Sequence, residues 1–230
     1  IGLVFQEPMS SFSPVHTVGN QIVETMRIHL GLDKAEARAR AIELLRMGGI
    51  PRPERRIDEY AFPLSGGLRP RAMIATALCC GPRILIADEP TTALDVTTQA
   101  QILALLRELQ AREGMAIVLI THNLGVVAEL CDEVVVMYLG RVVESASTEE
   151  IFARTNHPYT QALLKQVPRL DARKTQFKPI VGEIPSPLAP PGGCHFHPRC
   201  PHAMARCREQ APALKEVAAG HLSACHLNER

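Results

Sequence analysis

Short apolar runs alternate with amphipathic segments over the first 145 residues of the chain. The runs at 83–88 and 115–120 are apolar almost throughout, which is typical of strands buried on both faces of a parallel sheet. Between them, one segment has apolar residues at helical spacing and a glycine at its end: Ile102, Leu105, Leu106, Leu109 and Gly114. "ARARAIELLRM" predicts another helix, which Gly48 and Gly49 would end. This order predicts an α/β fold with a mainly parallel sheet and helices on both faces.

The pattern changes after the apolar run at 133–138. "EVVVMYLGRVVE" predicts a hairpin, and "TEEIFARTNHPYTQALLKQV" predicts two short helices broken at Pro158. Residues 183–193 are too rich in proline for a helix or a central strand, and they lead into a tail with four cysteines. We therefore predict a main domain over 1–145 and a small C-terminal extension over 146–230.

Composition narrows the class of protein. The net charge of +1 and the pI near 7.8 give no reason to expect a nucleic-acid-binding surface. No apolar run approaches the ~20 residues that a membrane-spanning helix needs. The apolar stretch that begins at Ile1 resembles the middle of a strand, so we expect an N-terminally truncated sequence.

Two adjacent carboxylates, Asp88 and Glu89, follow the apolar run of a predicted buried strand. Open α/β sheets bind ligands at the carboxyl ends of their strands. In phosphate-transferring folds the first acid holds Mg²⁺ through water and the second polarises the attacking water. A simpler interpretation is an acidic pair that caps the next helix.

Other polar residues stand at comparable places. Ser65, Gly66 and Gly67 precede the apolar helix "AMIATALCC", where glycine lets backbone N–H groups approach an anion, although such a triplet alone is more often a plain loop. His122 ends the strand "LITH" and can donate to a phosphate oxygen. Gln6 ends the first strand with an amide suited to hold a metal ion or a water molecule.

Together and in this order, these stretches resemble the nucleotide-binding subunit of ABC transporters. The matching motifs are the Q-loop, the signature, the Walker B strand with its glutamate, the D-loop and the H-loop: Gln6, Leu64–Gly67, "ILIADE", Ala93–Asp95 and His122. The resemblance implies that Asp88 serves Mg²⁺ and that Glu89 is the general base for ATP hydrolysis, with His122 as a catalytic contact to the γ-phosphate. It implies nucleotide contacts for a further set: Gln6, Ser65, Gly66, Gly67 and Asp95.

Longer stretches narrow the resemblance to one branch. "FQEPMSSFSPVHTVGNQI", "IADEPTTALDVTTQAQIL" and "NHPYTQALL" are similar to the dipeptide and oligopeptide importers, and the resemblance covers essentially the whole chain. It implies two subunits, identical or different, that pair head to tail around ATP. It also implies a transmembrane permease and an extracytoplasmic peptide-binding protein as partners, and a peripheral location on the cytoplasmic face of the inner membrane. The segment from about 8 to 80 would be the helical subdomain that docks the permease.

The chain departs from that family at two places. Residues 1–230 contain no Gly-x4-Gly-Lys-Ser/Thr loop, which cradles the β- and γ-phosphates. Pro70 stands where relatives usually have glutamine. If the signature helix starts near Gly66, Pro70 would cost roughly 3 kcal/mol by removing a backbone donor and crowding the preceding turn. If the helix starts later, Pro70 falls in its first turn, where proline is tolerated.

The seven cysteines occur without a secretory signal, which favours reduced thiols or metal ligands over disulfides. Four in the tail have the spacing C-x5-C-x6-C-x17-C: Cys194, Cys200, Cys207 and Cys225. Four thiolates suit Zn²⁺ or an iron–sulfur cluster, and the resemblance favours a [4Fe–4S] cluster. Two alternatives remain: four unligated thiols in a disordered tail, or a mixed zinc site that uses histidines from His195, His197, His202, His221 and His226. The other three, Cys79, Cys80 and Cys131, are expected to be small buried side chains.

Two functions from different classes are consistent with these residues. The first is the ATPase subunit of a peptide importer, in which Glu89 and His122 carry the chemistry. The second is a non-catalytic, metal-stabilised module that docks a permease or a partner ATPase, which the absent phosphate-binding loop favours.

Overall fold

The computed structural model describes residues 1–7, 11–92, 94–167 and 180–229. The chain divides into two compact units between His122 and Asn123. The first unit contains the carboxylate pair and the predicted signature, and the second contains the predicted hairpin and the cysteine tail. The predicted boundary near residue 145 stays a prediction.

A parallel sheet forms the centre of the first unit. Its described strands are β1 (Gly2–Val4), β2 (Ile84–Asp88) and β3 (Ala116–Ile120), in the order β1-β2-β3. The sequence prediction of a mainly parallel sheet is confirmed. Asp88 pairs in register with Ile120, so the carboxyl ends of β2 and β3 lie at one edge of the sheet.

The described helices of the first unit are α1 (Val18–Leu30), α2 (Lys34–Met47), α3 (Pro53–Arg56), α4 (Leu68–Ala77) and α5 (Val96–Glu113). Asp33 begins α2 with a capping box, in which its side chain accepts from Ala35 and Glu36 while Glu36 accepts from the Asp33 amide. Helix α5 ends at Gly114, whose φ of 63° is the left-handed conformation that glycine adopts without strain.

One apolar core holds these elements together. The four apolar residues predicted to share a face of α5 are all buried in it: Ile102, Leu105, Leu106 and Leu109. Leu85 and Ala87 of β2 are fully buried in the same cluster. Buried side chains alternate with more exposed ones along β2. Asp88, the last residue of the strand, falls on the more exposed face and is half-buried.

The structure decides between the two interpretations of Pro70. Helix α4 begins at Leu68, so Pro70 is its third residue and lies in the first turn. The first backbone N–H groups of a helix have no partner inside it, so proline removes no hydrogen bond there. The later start is therefore confirmed, and the buried Pro70 is compatible with the helix.

The described helices and strands of the second unit are α6 (Leu124–Leu130), β4 (Glu133–Tyr138), β5 (Arg141–Ser147), α7 (Thr148–Arg154), α8 (Pro158–Leu164), α9 (Ala205–Glu209), β6 (Lys215–Ala218) and β7 (His221–Ser223). Its four strands form an antiparallel sheet in the order β4-β5-β7-β6. The β4–β5 hairpin and the two short helices separated at Pro158 agree with the sequence prediction, whereas β6 and β7 were not predicted. Within the described ranges, no helix is both long and apolar enough to cross a membrane.

An aromatic cluster fixes the tail against the hairpin. Phe196 is 1% exposed, and its ring centroid lies 5.3 Å from those of Tyr138 and Tyr159. The two tyrosine rings are 4.7 Å apart and meet edge to face. Because Phe196 follows Cys194 by two residues, this packing fixes the first cysteine of the tail relative to β4 and α8.

Candidate functional site

The backbone at the end of β2 is held in an uncommon conformation. Glu89 has a φ of 45°, in the left-handed region that residues other than glycine rarely adopt. Its N–H donates to the carbonyl of Ile120 at 2.9 Å, which ties the end of β2 to the end of β3. Strained residues of this kind concentrate at functional sites, and here the strain brings Glu89 next to the loop that carries His122.

Three side chains converge on the Glu89 carboxylate. His122 Nδ1 lies 2.9 Å from Oε1, and a carboxylate only accepts, so this nitrogen carries the proton. Gln6 Nε2 donates to Oε2 at 3.1 Å, and Thr92 Oγ1 donates to the same oxygen at 2.7 Å. The structure therefore brings together Gln6, Glu89 and His122, which come from the ends of three different strands.

These hydrogen bonds stabilise the ionised form of Glu89. The contact with His122, followed by the contact with Thr92, lowers the pKa of Glu89 below its ordinary value. The Glu89 side chain is 20% exposed, whereas the His122 side chain is 77% exposed. A carboxylate that is ionised and accessible to water has the properties that a general base requires.

Sequence reasoning did not identify Thr92. Its hydroxyl contacts Glu89 from three residues away, in the turn where the Thr92 N–H also donates to the Glu89 carbonyl at 3.1 Å. The sequence did contain a signal for this contact. A hydroxyl residue stands three positions after a strand-end carboxylate, and a turn of that length brings the two side chains together.

The two aspartates of the predicted site occupy different places. Asp88 ends β2 beside Glu89 and is half-buried. Asp95 begins α5, where its carboxylate accepts from the Thr98 N–H at 2.9 Å and from the Thr98 hydroxyl at 2.7 Å. The hydroxyl bond and then the backbone bond lower the pKa of Asp95. Ala93, part of the predicted D-loop, lies outside the described residues.

Ser65, Gly66 and Gly67 form the turn that leads into α4. The Ser65 carbonyl accepts from the backbone N–H of Leu68 at 2.9 Å, and Gly67 is the N-cap of the helix. A Cβ on Gly67 would lie 3.2 Å from Thr98 Cγ2, so the turn packs closely against the first turn of α5. A Cβ on Gly66 would meet nothing within 4 Å, which leaves its backbone open to approach. Gly67 thus packs against α5, and none of the three residues makes a hydrogen bond to the Glu89 carboxylate in the contacts described above.

In the second unit, the four tail cysteines line one small cavity. The cavity has a volume of about 10 Å³, room for about one water molecule, and His157, His197, His202 and His226 also contribute to its lining. All four are free thiols. Burial raises the pKa of Cys194, Cys200 and Cys225, and the neighbouring thiols of the set raise each further. The tail from 180 to 229 is folded, so the predicted alternative of a disordered tail does not apply to that range.

The cavity is not a preformed metal site. In the part of the chain that the structure describes, no group of three or more His, Cys, Asp or Glu side chains is arranged to hold a metal ion. The backbone before Cys194 approaches the backbone of Cys207 closely at Gly193. A Cβ on Gly193 would lie 2.4 Å from the Cys207 carbonyl oxygen, and the φ of Gly193 is 63°, so glycine fits this position. Of the five histidines considered as ligands, four make hydrogen bonds to other groups: His195 to the Leu139 carbonyl, His197 to the Cys194 carbonyl, His221 to Glu144, and His226 to Glu229 and the Gln210 carbonyl.

Sequence reasoning also missed a buried carboxylate in β5. Glu144 is 0% exposed and accepts hydrogen bonds from the Asn156 and His157 N–H groups at 2.6 and 3.1 Å and from His221 Nε2 at 2.7 Å. Burial by itself would raise the pKa of Glu144, but these hydrogen bonds outweigh it and lower the pKa. The buried His157 ring has a pKa lowered to about 4, chiefly by burial, so it is neutral at neutral pH. Glu144 thereby ties β5, the loop before α8 and β7 together.

Replacement of Glu144 by alanine is expected to destabilise the protein by about 3–5 kcal/mol, because buried donors on three segments lose their acceptor. Urea unfolding monitored by a probe in the second unit would measure the loss. Glu133→Ala, which removes an exposed carboxylate from the neighbouring strand β4, is the control and should change the unfolding free energy little. Equal stability of the two variants would show that Glu144 is not an anchor.

Two protein families match parts of the chain. The family described as "ABC transporter" matches residues 1–92, and the family described as "Oligopeptide/dipeptide transporter, C-terminal region" matches residues 143–207. Among curated proteins, the chain is 54% identical to a probable peptide ABC transporter ATP-binding protein, y4tR, of Sinorhizobium fredii, over 98% of this chain and 68% of that protein. It is 50% identical to the dipeptide transport ATP-binding protein DppD of Escherichia coli, over 98% of this chain and 69% of that protein.

Solved structures of ABC proteins also match this chain. The cbiO1 protein of Clostridium perfringens, part of the ABC transporter complex cbiONQ, matches with a TM-score of 0.57 and 35% identity over 66% of this chain and 59% of that chain. The ATP-binding cassette MJ0796, bound to ADP and Pi in a dimeric post-hydrolysis state, matches with a TM-score of 0.56 and 30% identity over 64% of this chain and 62% of that chain. The chain thus spans about 68–69% of the length of the two curated relatives described above and about 60% of these solved structures.

Proposed function

Because this chain belongs to the ATP-binding subunits of peptide ABC transporters, we propose that it powers peptide import by binding and hydrolysing ATP. The relatives that support this proposal are named as ATP-binding proteins, so the non-catalytic docking module is not favoured. Residues 1–230 contain no phosphate-binding loop of the Gly-x4-Gly-Lys-Ser/Thr type, so hydrolysis is proposed for a protein that carries this loop before Gln6.

The convergence of Gln6 and His122 on Glu89 is the observation that carries the proposal. Glu89, ionised and partly exposed, would take the proton from the attacking water. His122, whose ring is mostly exposed, would turn from Glu89 to donate to the γ-phosphate. Asp88 and Gln6 would hold Mg²⁺, which neutralises phosphate charge when it is bound. Oxygen ligands at a strand end are of the type that Mg²⁺ prefers.

The signature residues would serve a second subunit. Gly67 packs against α5 and the backbone of Gly66 is open to approach, which supports a position of this turn facing a nucleotide held by the partner. Asp95, beside the same contact, would lie at the interface between the two subunits. This arrangement corresponds to a head-to-tail dimer, of two identical or two different subunits, that closes around ATP.

The proposed partners follow from the family. A pair of transmembrane permease subunits would receive the motion of the closing dimer, with the helical region from about 8 to 80 as their docking site. An extracytoplasmic binding protein would deliver the peptide to the permease. The subunit would lie peripherally on the cytoplasmic face of the inner membrane, with a nucleotide-binding domain over 1–145 and an extension over 146–230.

A metal centre in the extension is a separate proposal. Cys194, Cys200, Cys207 and Cys225 line one cavity, and thiolates are ligands for both an iron–sulfur cluster and zinc. The donor types and their convergence fit such a centre, although their present spacing does not form a ready site. Because burial raises the pKa of three of these thiols, ligation must displace protons and would tighten as the pH rises. We propose a [4Fe–4S] cluster, with zinc as the alternative.

Phosphate release from Mg-ATP tests the proposed function. A form of this protein that carries a phosphate-binding loop before Gln6, called the full-length protein below, is expected to hydrolyse ATP. The 230-residue chain alone is not, because residues 1–230 contain no loop of the type that holds the β- and γ-phosphates. His122→Ala in the full-length protein should lower kcat roughly tenfold or more by removing a contact to the developing charge. His29→Ala, which changes an exposed histidine of α1, is the control and should keep the parental rate. Parental turnover in the His122 variant would contradict the role assigned to His122.

A further inference from the structure

The Thr92 hydroxyl makes the shortest of the three side-chain contacts to the Glu89 carboxylate. It donates to Oε2 at 2.7 Å, compared with 3.1 Å for Gln6 Nε2 and 2.9 Å for His122 Nδ1 to the other oxygen. It also belongs to the same turn as Glu89, fixed by the bond from the Thr92 N–H to the Glu89 carbonyl. The donor is therefore held near its acceptor by four consecutive residues, whereas Gln6 and His122 come from distant parts of the sequence.

We propose that Thr92 is a positioning residue, whose hydroxyl holds Oε2 of Glu89 so that Oε1 is presented to the attacking water during ATP hydrolysis. The inference rests on the proposed function of Glu89 as the general base.

The roles of the other two donors make Thr92 the contact that can persist. Gln6 is assigned to Mg²⁺ and His122 to the γ-phosphate. Both side chains must therefore leave Glu89 when the nucleotide is bound. Thr92 has no such role, and its bond lies within one turn of backbone. A glutamate side chain with no remaining anchor would sample several rotamers, and a general base acts only within hydrogen-bond reach of its proton.

The groups that face Glu89 differ in charge. Asp88 precedes it on β2 with a like charge, and His122 faces it from beyond the end of β3. Gln6 and Thr92, the remaining contacts, are neutral. Thr92 therefore holds the carboxylate through a neutral donor within its own turn.

NMR relaxation of the Glu89 side-chain carbons in the 230-residue chain measures how firmly the carboxylate is held, without ATP turnover. Thr92→Val keeps the shape of the side chain and removes the donor, so the Glu89 side chain should become more mobile. Thr92→Ser keeps the hydroxyl and should retain the parental mobility. Thr98→Val is the matched control, because it breaks the same kind of 2.7 Å bond to Asp95 and should leave Glu89 unchanged.

In the full-length protein, Thr92→Val should lower kcat roughly tenfold, the loss expected for one hydrogen bond to a charged group, with KM for ATP nearly unchanged. Thr92→Ser should restore kcat. Unchanged mobility of the Glu89 side chain in the valine variant overturns the proposed bond. Greater mobility with parental kcat overturns the positioning role. If the full-length protein does not hydrolyse ATP, the proposed function fails, and the relaxation measurement still decides whether Thr92 holds the carboxylate.

Discussion

Replacement of Glu89 by glutamine is expected to lower ATP turnover by the full-length protein about 10²–10⁴-fold while ATP stays bound, because the amide cannot accept the proton of the attacking water. Glutamine keeps one oxygen, which in the place of Oε2 can still accept from Thr92 and Gln6. Its NH2 group takes the place of Oε1, where it can donate to His122 Nδ1 when the ring carries its proton on the other nitrogen, so the geometry of the cluster should persist. With hydrolysis blocked and the phosphate contacts intact, the two subunits are expected to accumulate as a closed dimer with bound ATP.

Single-turnover kinetics and size-exclusion chromatography with Mg-ATP would measure both effects. Glu24→Gln, which neutralises an exposed carboxylate on α1, is the control and should hydrolyse ATP at the parental rate without trapping a dimer. Turnover by Glu89→Gln at the parental rate would exclude Glu89 as the base. Loss of ATP binding would instead indicate that Glu89 holds the nucleotide.

Periodicity predicted the elements of the first unit well, because its apolar residues lie where packing requires them. Leu106 and Leu109 are buried on one face of α5, and Gly114 ends that helix with a positive φ. The place of the site could also be predicted from topology. Gln6, Glu89 and His122 follow three strands of a parallel sheet, and the carboxyl ends of such strands meet at one edge.

The contacts that sequence reasoning missed depend on three-dimensional proximity. Glu144 and His221 are 77 positions apart and meet only because β5 and β7 pair, and the short strands β6 and β7 have little pattern of their own. Thr92 is close to Glu89 in sequence, but the hydrogen bond depends on the left-handed backbone of Glu89. Pro70 could be interpreted in two ways because its effect depends on where α4 begins, and helix ends are the least predictable part of an element.

The four tail cysteines are expected to bind an oxygen-sensitive [4Fe–4S] cluster that stabilises the extension. The extension buries few large apolar side chains around Phe196, so ligation would supply folding free energy that its small core lacks. Protein purified without oxygen should be brown and contain about four irons per chain. Cys200→Ser should remove most of the colour and make the tail more sensitive to protease, because one ligand is lost while the cavity is otherwise unchanged.

Cys131→Ser is the matched control, since Cys131 caps α6 and is not among the residues that line the cavity, so colour, iron content and protease resistance should stay unchanged. Iron and zinc analysis of the anaerobic protein decides between the two metals. Colourless protein with one zinc per chain, lost in Cys200→Ser, would overturn the cluster and establish a structural zinc site. Protein with neither metal, whose tail resists protease equally in both variants, would show that Phe196 and Glu144 hold the extension together without ligation.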